Sequence, residues 1–230
     1  MRKTPSLPTL QQRIVECRKC PRLVQWREKV ARTKTKRFSD CEYWGRPVPG
    51  FGDWGARLVI VGLAPAAHGG NRTGRMFTGD RSGDWLYRTL NKFGFANQTR
   101  STDRHDGLTL HDCYITATVR CAPPGNKPLP AEIRNCRPYL LHEFQLLRNV
   151  RVIVGLGKVG FDSAAQCVEQ LGWITFERKP TFSHGAEYRV NKKVTLIGSY
   201  HPSQQNTFTG KLTRRMFDQV FRKSKRILQE

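Results

Sequence analysis

Two polar, glycine-bearing loops hold the side chains best suited to chemistry in this sequence, and each directly follows an apolar run. The first loop, GLAPAAHGGNRTGRMFTGD, spans residues 62–80, and the side chains in it able to orient or deprotonate water are His68, Asn71 and Asp80. The second loop, HPSQQNTFTG, begins at His201, which stands in front of a proline that keeps the histidine extended. Loops at strand ends often carry function, although many polar loops do nothing.

The first loop also has the composition of a site for a flat, anionic ligand. Its glycines allow the backbone to approach a ligand closely, and arginines within or beside it could hold phosphates; these residues are Gly69, Gly70, Gly74, Gly79, Arg72, Arg75 and Arg81. Phe77, an aromatic residue between polar neighbours, either stacks on a flat ring or anchors the core.

Four of the seven cysteines have surroundings that suggest metal binding. Cys17 and Cys20 form the motif CRKC, Cys121 lies in VRCAPPGN, and Cys136 lies in IRNCRPYL. Four cysteine thiolates suit either Zn²⁺ or an iron–sulfur cluster, and their spacing does not separate the two. The alternative is four unrelated buried thiols.

The elements that must position these loops alternate along the chain. Four apolar runs predict buried strands: RLVIVGL, HDCYITATVR, RVIVGLG and VTLIGSY. Amphipathic stretches between and after them predict helices, one of them broken or restarted around Pro138, and residues 32–56 are predicted to form a long loop. We therefore expect an α/β fold with a mostly parallel sheet and helices on both faces. Both polar loops then belong to the carboxyl edge of the sheet, where ligands bind.

Charge is the strongest signal in the composition of this 230-residue chain. Forty Lys and Arg against 18 Asp and Glu give a formal net charge of +22. An excess of this size attracts polyanions through counterion release, and nucleic acid is the first candidate partner. Ribosome association, an anionic membrane surface or simple solubility are the alternatives. No run approaches the roughly 20 apolar residues that cross a bilayer, and no secretory signal is apparent, so we expect an intracellular protein.

Taken together, these residues resemble the uracil-DNA glycosylase superfamily, and within it family 5. The two polar loops are similar to that family's first and second motifs, and the four cysteines resemble the [4Fe–4S] site of families 4 and 5. The resemblance implies a three-layer α/β/α sandwich around a mostly parallel four-stranded sheet. It implies a single domain over residues 1–230, with the N-terminal segment, about 1–56, tied on through the cysteines. A monomer acting on DNA with deaminated bases, in the cytoplasm or nucleoid of a prokaryote, is expected.

The activity implied by the resemblance is hydrolysis of the N-glycosidic bond of uracil in DNA, leaving an abasic site. Hypoxanthine and xanthine are possible further bases. His201 would donate a hydrogen bond to a uracil carbonyl, assisted by backbone N–H groups of the Gly62–Leu63 turn, while Phe77 stacks on the flipped base. Ser203 and Asn206 would bind phosphate or the flipped nucleotide.

Two alanines depart from other members of the superfamily. Ala64 stands where relatives carry Asn, Asp or Glu to activate water, so we expect Asn71 to position the water, with Asp80 or His68 in reserve. Ala117 stands where relatives carry a uracil-reading Asn, so discrimination for uracil should be loose.

Two other classes of protein compete with this hypothesis. A non-catalytic nucleic-acid-binding module stabilised by zinc explains the charge and the cysteines, but not the paired loops. An NAD-dependent enzyme would use GLGKVG, residues 155–160, which matches a dinucleotide fingerprint with Glu177 about 20 positions on. Close packing of a strand against a helix explains those glycines equally, and NAD binding explains neither the charge nor the cysteines.

Overall fold

A six-stranded sheet forms the centre of the computed structural model, which describes residues 6–230. The strands are β1 Phe51–Gly52, β2 Leu58–Gly62, β3 Cys113–Ala117, β4 Val152–Leu156, β5 Glu187–Arg189 and β6 Thr195–Ser199. Their order is β1-β3-β2-β4-β6-β5, with the four inner strands parallel and both edge strands antiparallel to their neighbours. The predicted parallel strands are therefore confirmed. The prediction missed the edge strands, because two or three residues are too few to show an alternating pattern.

Helices cover both faces of the sheet and complete the predicted three-layer sandwich. They are α1 Leu7–Val15, α2 Pro21–Thr33, α3 Gly70–Thr73, α4 Arg81–Lys92, α5 Pro130–Leu146, α6 Gly157–Gln170, α7 Gln204–Phe208 and α8 Arg214–Gln229. Along β2, Leu58 and Ile60 point into a core with α4 and α8, and Val59 and Val61 point into a second core with α5 and α6. All four inner strands are buried along their whole length, as expected for parallel strands covered on both faces.

The predicted break around Pro138 is wrong, because helix α5 runs continuously through that residue. A proline inside a helix removes one backbone hydrogen bond and costs about 3 kcal/mol. Cys136, Tyr139, Leu140 and Phe144 of this helix are all buried, and their packing outweighs that cost.

The N-terminal segment docks through a third apolar cluster that contains the candidate metal ligands. Leu10, Ile14 and Leu23 of α1 and α2 pack there against Val119 and Tyr139. Helix α2 lies in a stretch for which no element was predicted from the sequence, and Cys17 and Cys20 lie in the turn before it. Within residues 6–230, no helix combines the length and the apolar character needed to span a membrane.

The carboxyl ends of the inner strands lie in register at one edge of the sheet. Gly62 at the end of β2 is opposite Ala117 of β3, and Leu156 of β4 is opposite Ser199 of β6. The two polar loops leave the sheet at this edge, from β2 and β6.

Candidate active site

Gly62, Phe77 and His201 meet at this edge. The rings of Phe77 and His201 are stacked, with centroids 5.8 Å apart and an angle of 27° between their planes. The Phe77 ring lies directly over Gly62, where a side-chain Cβ would stand only 2.9 Å from the Phe77 Cζ. At the neighbouring strand end, a Cβ on Gly157 would lie 3.3 Å from the Cβ of His201. The structure therefore brings the predicted base-stacking ring and the predicted hydrogen-bond donor together.

Phe77 is the core residue that one of the two alternatives predicted, and its ring also faces His201. The residue is 9% exposed and belongs to the core on the α4 and α8 face. Its backbone has a positive φ of 54°, which is unusual for a bulky residue and marks a constrained turn. The Tyr87 hydroxyl holds this turn by donating to the Met76 carbonyl at 2.7 Å.

His201 is held as a neutral ring on a braced loop. Burial lowers the pKa of His201 to about 4, so its imidazole is neutral near pH 7 and donates one N–H. The Asn206 side chain donates to the His201 carbonyl at 2.9 Å, and the Ser203 hydroxyl accepts from the Asn206 backbone N–H to cap α7. The polar groups of Ser203 and Asn206 thus have partners within their own loop.

His184 is a further brace that the sequence reasoning missed. Its Nδ1 accepts from the Tyr200 backbone N–H at 3.1 Å, and its Nε2 lies 3.2 Å from the Met216 carbonyl of α8. Burial lowers the pKa of His184, which favours the neutral form that can accept this bond. The residue before His201 is thereby tied to helix α8. In the sequence, His184 is an isolated histidine in a stretch without clear helix or strand periodicity, so nothing singles it out.

A cleft of about 700 Å³ opens along the first loop, and neither Phe77 nor His201 is among the residues that line it. Its lining includes His68, Asp80, Arg72, Arg81 and Gln204. Burial raises the pKa of Asp80 to about 6, even though the backbone N–H groups of Gly83 and Ser82 favour its charged form. One carboxylate oxygen caps α4 by accepting from Gly83 at 2.9 Å, and the other lies against Gly69. His68 is oriented by the Tyr43 hydroxyl, 3.0 Å from its Nδ1.

Asn71 does not line the cleft with Asp80 and His68, the two residues predicted as its alternatives for positioning water. It is fully buried on α3, and its Nδ2 donates to the Arg27 carbonyl of α2 at 3.2 Å. Within residues 6–230, its Oδ1 has no hydrogen-bond partner. The side chain thus fastens the first loop to the N-terminal segment.

Few polar side chains near the end of β2 are free to contact a ligand. Ala64 packs against the third apolar cluster, and Ala117 is buried in the core opposite Gly62. The Gly62 carbonyl accepts from the backbone N–H and the hydroxyl of Thr118, and the Leu63 carbonyl accepts from the Val119 N–H. Thr116 donates to Glu143. Thr116 and Thr118, the polar groups nearest Ala117 in the chain, are therefore already engaged.

The segment predicted as a long loop contributes two unexpected residues to the cleft. Arg37 and Phe38 line it, and the Arg72 guanidinium lies 4.2 Å above the Phe38 ring. On the opposite side, Arg81 lies 4.3 Å over the ring of Phe208, which is 64% exposed. Each pair places a positive charge on an aromatic face, an arrangement suited to nucleotides.

The four predicted cysteine ligands line one small cavity between the N-terminal segment, β3 and α5. Burial raises the pKa of Cys121 to about 12 and that of Cys136 to about 11. Within residues 6–230, no group of three His, Cys, Asp or Glu side chains converges as a site for a metal ion. Cys113 in β3 and Cys167 in α6 are buried in the other two cores, away from this cavity.

The surroundings of this cavity fit a group bound by thiolates. Arg27 and Arg120 are buried in its wall, and the Arg27 Nη1 lies 2.9 Å from the Cys121 Sγ. Asn135 donates to the Cys20 Sγ at 3.5 Å. Buried cations and N–H donors aimed at sulfur stabilise thiolate charge, which four unrelated thiols do not need.

The glycines of GLGKVG serve packing and the His201 contact. A Cβ on Gly155 would collide with the backbone of Phe161, and one on Gly160 would collide with the carbonyl of Val61. These glycines let α6 lie directly against β2 and β4, as the packing alternative predicts.

Comparison with known proteins agrees with this architecture. A family model described as "Uracil DNA glycosylase superfamily" matches residues 49–225. The chain therefore belongs to the uracil DNA glycosylase superfamily.

Within that superfamily, the chain is similar to several proteins named type-5 uracil-DNA glycosylase. It is 55% identical to the one from Mycobacterium leprae over 223 residues, which cover 96% of each chain. It is 47% identical to the one from Thermus thermophilus over 94% of this chain and 95% of the relative. Identity to the one from Pyrobaculum aerophilum is 42%, over 92% and 89% of the two chains.

Proposed function

We propose that this protein excises uracil from DNA by hydrolysing the N-glycosidic bond, leaving an abasic site. The observation that carries the proposal is the neutral, half-buried imidazole of His201 stacked on Phe77 above Gly62, at the carboxyl edge of the sheet. Relatives named type-5 uracil-DNA glycosylase, at 42% to 55% identity over most of the chain, support it.

DNA reaches this edge through electrostatic attraction. The net charge of +22 favours release of counterions from the phosphates, and Arg37, Arg72 and Arg81 place part of that charge in the cleft. The target nucleotide must leave the duplex before its glycosidic bond is accessible, at a cost of a few kcal/mol. The exposed Phe208 ring, held by Arg81, is suited to occupy the gap in the base stack.

His201 stabilises the departing base. Cleavage of the glycosidic bond leaves negative charge on the uracil, and the neutral imidazole donates its N–H to the carbonyl oxygen where that charge develops. Because its pKa is about 4, the ring carries no positive charge near pH 7. Removing one preorganised donor of this kind typically slows a reaction about 100 to 1,000-fold. Phe77 presents its ring to the same base, and the Gly62–Leu63 backbone approaches it without side-chain obstruction.

Asp80 and His68 are the groups that we assign to the attacking water. Both line the cleft, and Asp80, with a pKa of about 6, is mainly a carboxylate above that pH. Ala64 offers no polar group, and the sugar, with cationic character after cleavage, accepts a weakly activated water. Asn71 acts indirectly, by fastening the loop from beneath.

Cys17, Cys20, Cys121 and Cys136 are proposed to hold a [4Fe–4S] cluster, with zinc as the alternative. A single tetrahedral Zn²⁺ needs its sulfurs about 2.3 Å from one point. Four cysteines lining one cavity suit either group, and the resemblance of CRKC, VRCAPP and IRNC to a [4Fe–4S] site favours the cluster. Hydrolysis transfers no electrons, so the group would act as a structural cross-link between the N-terminal segment, β3 and α5. Residues 1–230 would form a single domain that works as a monomer.

Base selection should be broad. Ala117 presents no hydrogen-bonding side chain, and Thr116 and Thr118 have other partners. We therefore include hypoxanthine and xanthine as candidate substrates beside uracil.

The deciding experiment incubates labelled uracil-containing DNA with the protein and cleaves abasic sites with hot alkali. Wild type should give strand scission, and His201→Ala should be about 100 to 1,000-fold slower. His105→Ala, which removes an exposed histidine, is the matched control and should retain the wild-type rate. Binding without scission by the wild type would instead support the non-catalytic nucleic-acid-binding protein.

A further inference from the structure

Two buried arginines in the wall of the cysteine cavity have guanidinium N–H groups without partners among the described residues. Arg27 is 2% exposed and Arg120 is 1% exposed. In the part of the chain that the structure describes, the Nε of each residue and the Nη1 of Arg120 have no hydrogen-bond partner. Burying a guanidinium N–H without an acceptor is costly, so the contents of the cavity are the natural place to seek that acceptor.

The two arginines differ in their acidic neighbours, because within residues 6–230 Arg120 has a buried carboxylate partner and Arg27 has none within hydrogen-bond distance. Arg120 donates through Nη2 to Glu143, which also accepts from the hydroxyls of Tyr114 and Thr116. The Arg27 Nη2 lies 3.9 Å from Glu28, whose carboxylate is held more closely, at 2.6 Å, by Arg18.

Arg27 instead directs its guanidinium at the cysteine turn. Its Nη1 lies 2.9 Å from the Cys121 Sγ and 3.3 Å from the Cys17 carbonyl. Arg27 therefore faces sulfur from α2, and Arg120, in the segment after β3, lines the same cavity.

We propose that Arg27 is the counter-cation of the thiolate-bound group and sets the charge balance at the Cys121 sulfur, while Arg120, which is paired with Glu143, supplies N–H donors to the same cavity. This inference depends on the cofactor assignment proposed above. Four thiolates bring four negative charges into a buried site, and the Arg27 guanidinium offsets part of them. A cation and an N–H donor beside sulfur also favour the more negative, reduced state of a cluster, and therefore raise its reduction potential.

The test compares the full-length wild type with Arg27→Gln, Arg27→Lys and Arg22→Gln. Arg22 lies on the same helix and pairs with Glu132 at 2.7 Å, but it does not line the cavity, so its variant is the matched control. Iron and acid-labile sulfide per chain, the rate of iron loss to a chelator, and the midpoint potential from a spectroscopic titration are measured. None of these readouts depends on glycosylase activity.

Arg27→Gln should release iron at least tenfold faster than wild type. Its reduction equilibrium should shift at least tenfold towards the oxidised state, which is 59 mV lower in potential for a one-electron couple. Arg27→Lys keeps the charge and should stay within about threefold of wild type in the same equilibrium. Arg22→Gln should match wild type. If Arg27→Gln retains no iron while Arg27→Lys loads fully, the requirement for charge is likewise supported.

Two failures are distinguishable. Equal iron release and equal potential in Arg27→Gln and wild type would overturn the counter-cation role while leaving the cofactor assignment intact. A wild-type chain that binds neither iron nor zinc would overturn the cofactor assignment itself. In a zinc-loaded chain, the rate of zinc release replaces the potential, and an unchanged rate in Arg27→Gln overturns the inference.

Discussion

Replacing His201 with glutamine should reduce the loss of folding stability that the protein suffers as the pH falls. Burial lowers the pKa of His201 from 6.5 to about 4 in the folded protein, while the unfolded chain retains the ordinary value. Between these two values the unfolded chain binds a proton that the folded chain does not. Protonation therefore favours unfolding, and stability is lost progressively as the pH drops from 6.5 towards 4.

The size of the effect follows from proton linkage. At pH 5, about 97% of unfolded chains but only about 9% of folded chains carry a proton on His201, given these two pKa values. The free energy of unfolding is then about 2 kcal/mol lower than it would be without the titrating ring. At pH 7.5 the same titration lowers the free energy of unfolding by only roughly 0.1 kcal/mol. Nearly the whole of the destabilisation should therefore appear as a difference between pH 7.5 and pH 5.

Urea denaturation of wild type, His201→Gln and His105→Gln at pH 7.5 and pH 5 measures this difference. Wild type should lose about 2 kcal/mol more than His201→Gln between the two conditions, because the other titrating groups contribute equally to both proteins. His105→Gln, which removes an exposed ring, should behave as wild type. An NMR titration of the His201 imidazole measures the same pKa directly. An equal pH dependence in wild type and His201→Gln, with an imidazole that titrates near 6.5, would refute the buried neutral donor.

Three further outcomes are expected. The single-turnover excision rate of wild type should rise as the pH passes through about 6, where Asp80 ionises, whereas Asp80→Asn should be slower and lack that rise. Gly62→Ala places a Cβ 2.9 Å from the Phe77 ring and should cost about 1 to 3 kcal/mol of stability and at least tenfold in rate; a wild-type rate would contradict the close stack. Cys136→Ser should lose bound metal and lower the melting temperature, while Cys167→Ser, which removes a buried cysteine outside the cavity, should retain the metal.

The parts of the fold that the sequence predicted are those with a strong local signal. The inner strands are runs of five buried residues rich in β-branched side chains, and their alternation with helices requires parallel pairing. The position of the two polar loops could be predicted in the same way, because parallel strands bring their carboxyl ends to one edge of the sheet. The four cysteines also line one cavity, although Cys20 and Cys121 are 101 positions apart in the numbering.

The residues that escaped prediction depend on tertiary packing. Asn71 stands among glycines and arginines and looks exposed in the sequence, but the short helix α3 turns it beneath the cleft. Four helical residues are too few to show which side faces inward. Phe38 lies in a polar stretch without periodicity, and it reaches the cleft because the N-terminal segment folds back over the first loop. Arg27 is a cation on a polar helix, which the sequence suggests to be exposed. In the structure its guanidinium lies beside the Cys121 sulfur, a contact between residues that are distant in the chain.

The position of helix α2 explains how a hydrolysis that moves no electrons can depend on the cysteine cavity. Arg27 contacts the Cys121 sulfur through its side chain, and its backbone carbonyl accepts from Asn71 of the first loop. Beyond α2, the backbone N–H groups of Trp44 and Gly45 donate to the carbonyls of Arg72 and Asn71 at 2.8 and 3.0 Å. The underside of the first loop is therefore hydrogen-bonded to the segment that the cysteines anchor. Under the proposed mechanism, releasing that anchor would loosen the backbone between Gly62 and Asp80. It would thereby misplace Phe77, which faces the flipped base, and Asp80, which orients the attacking water.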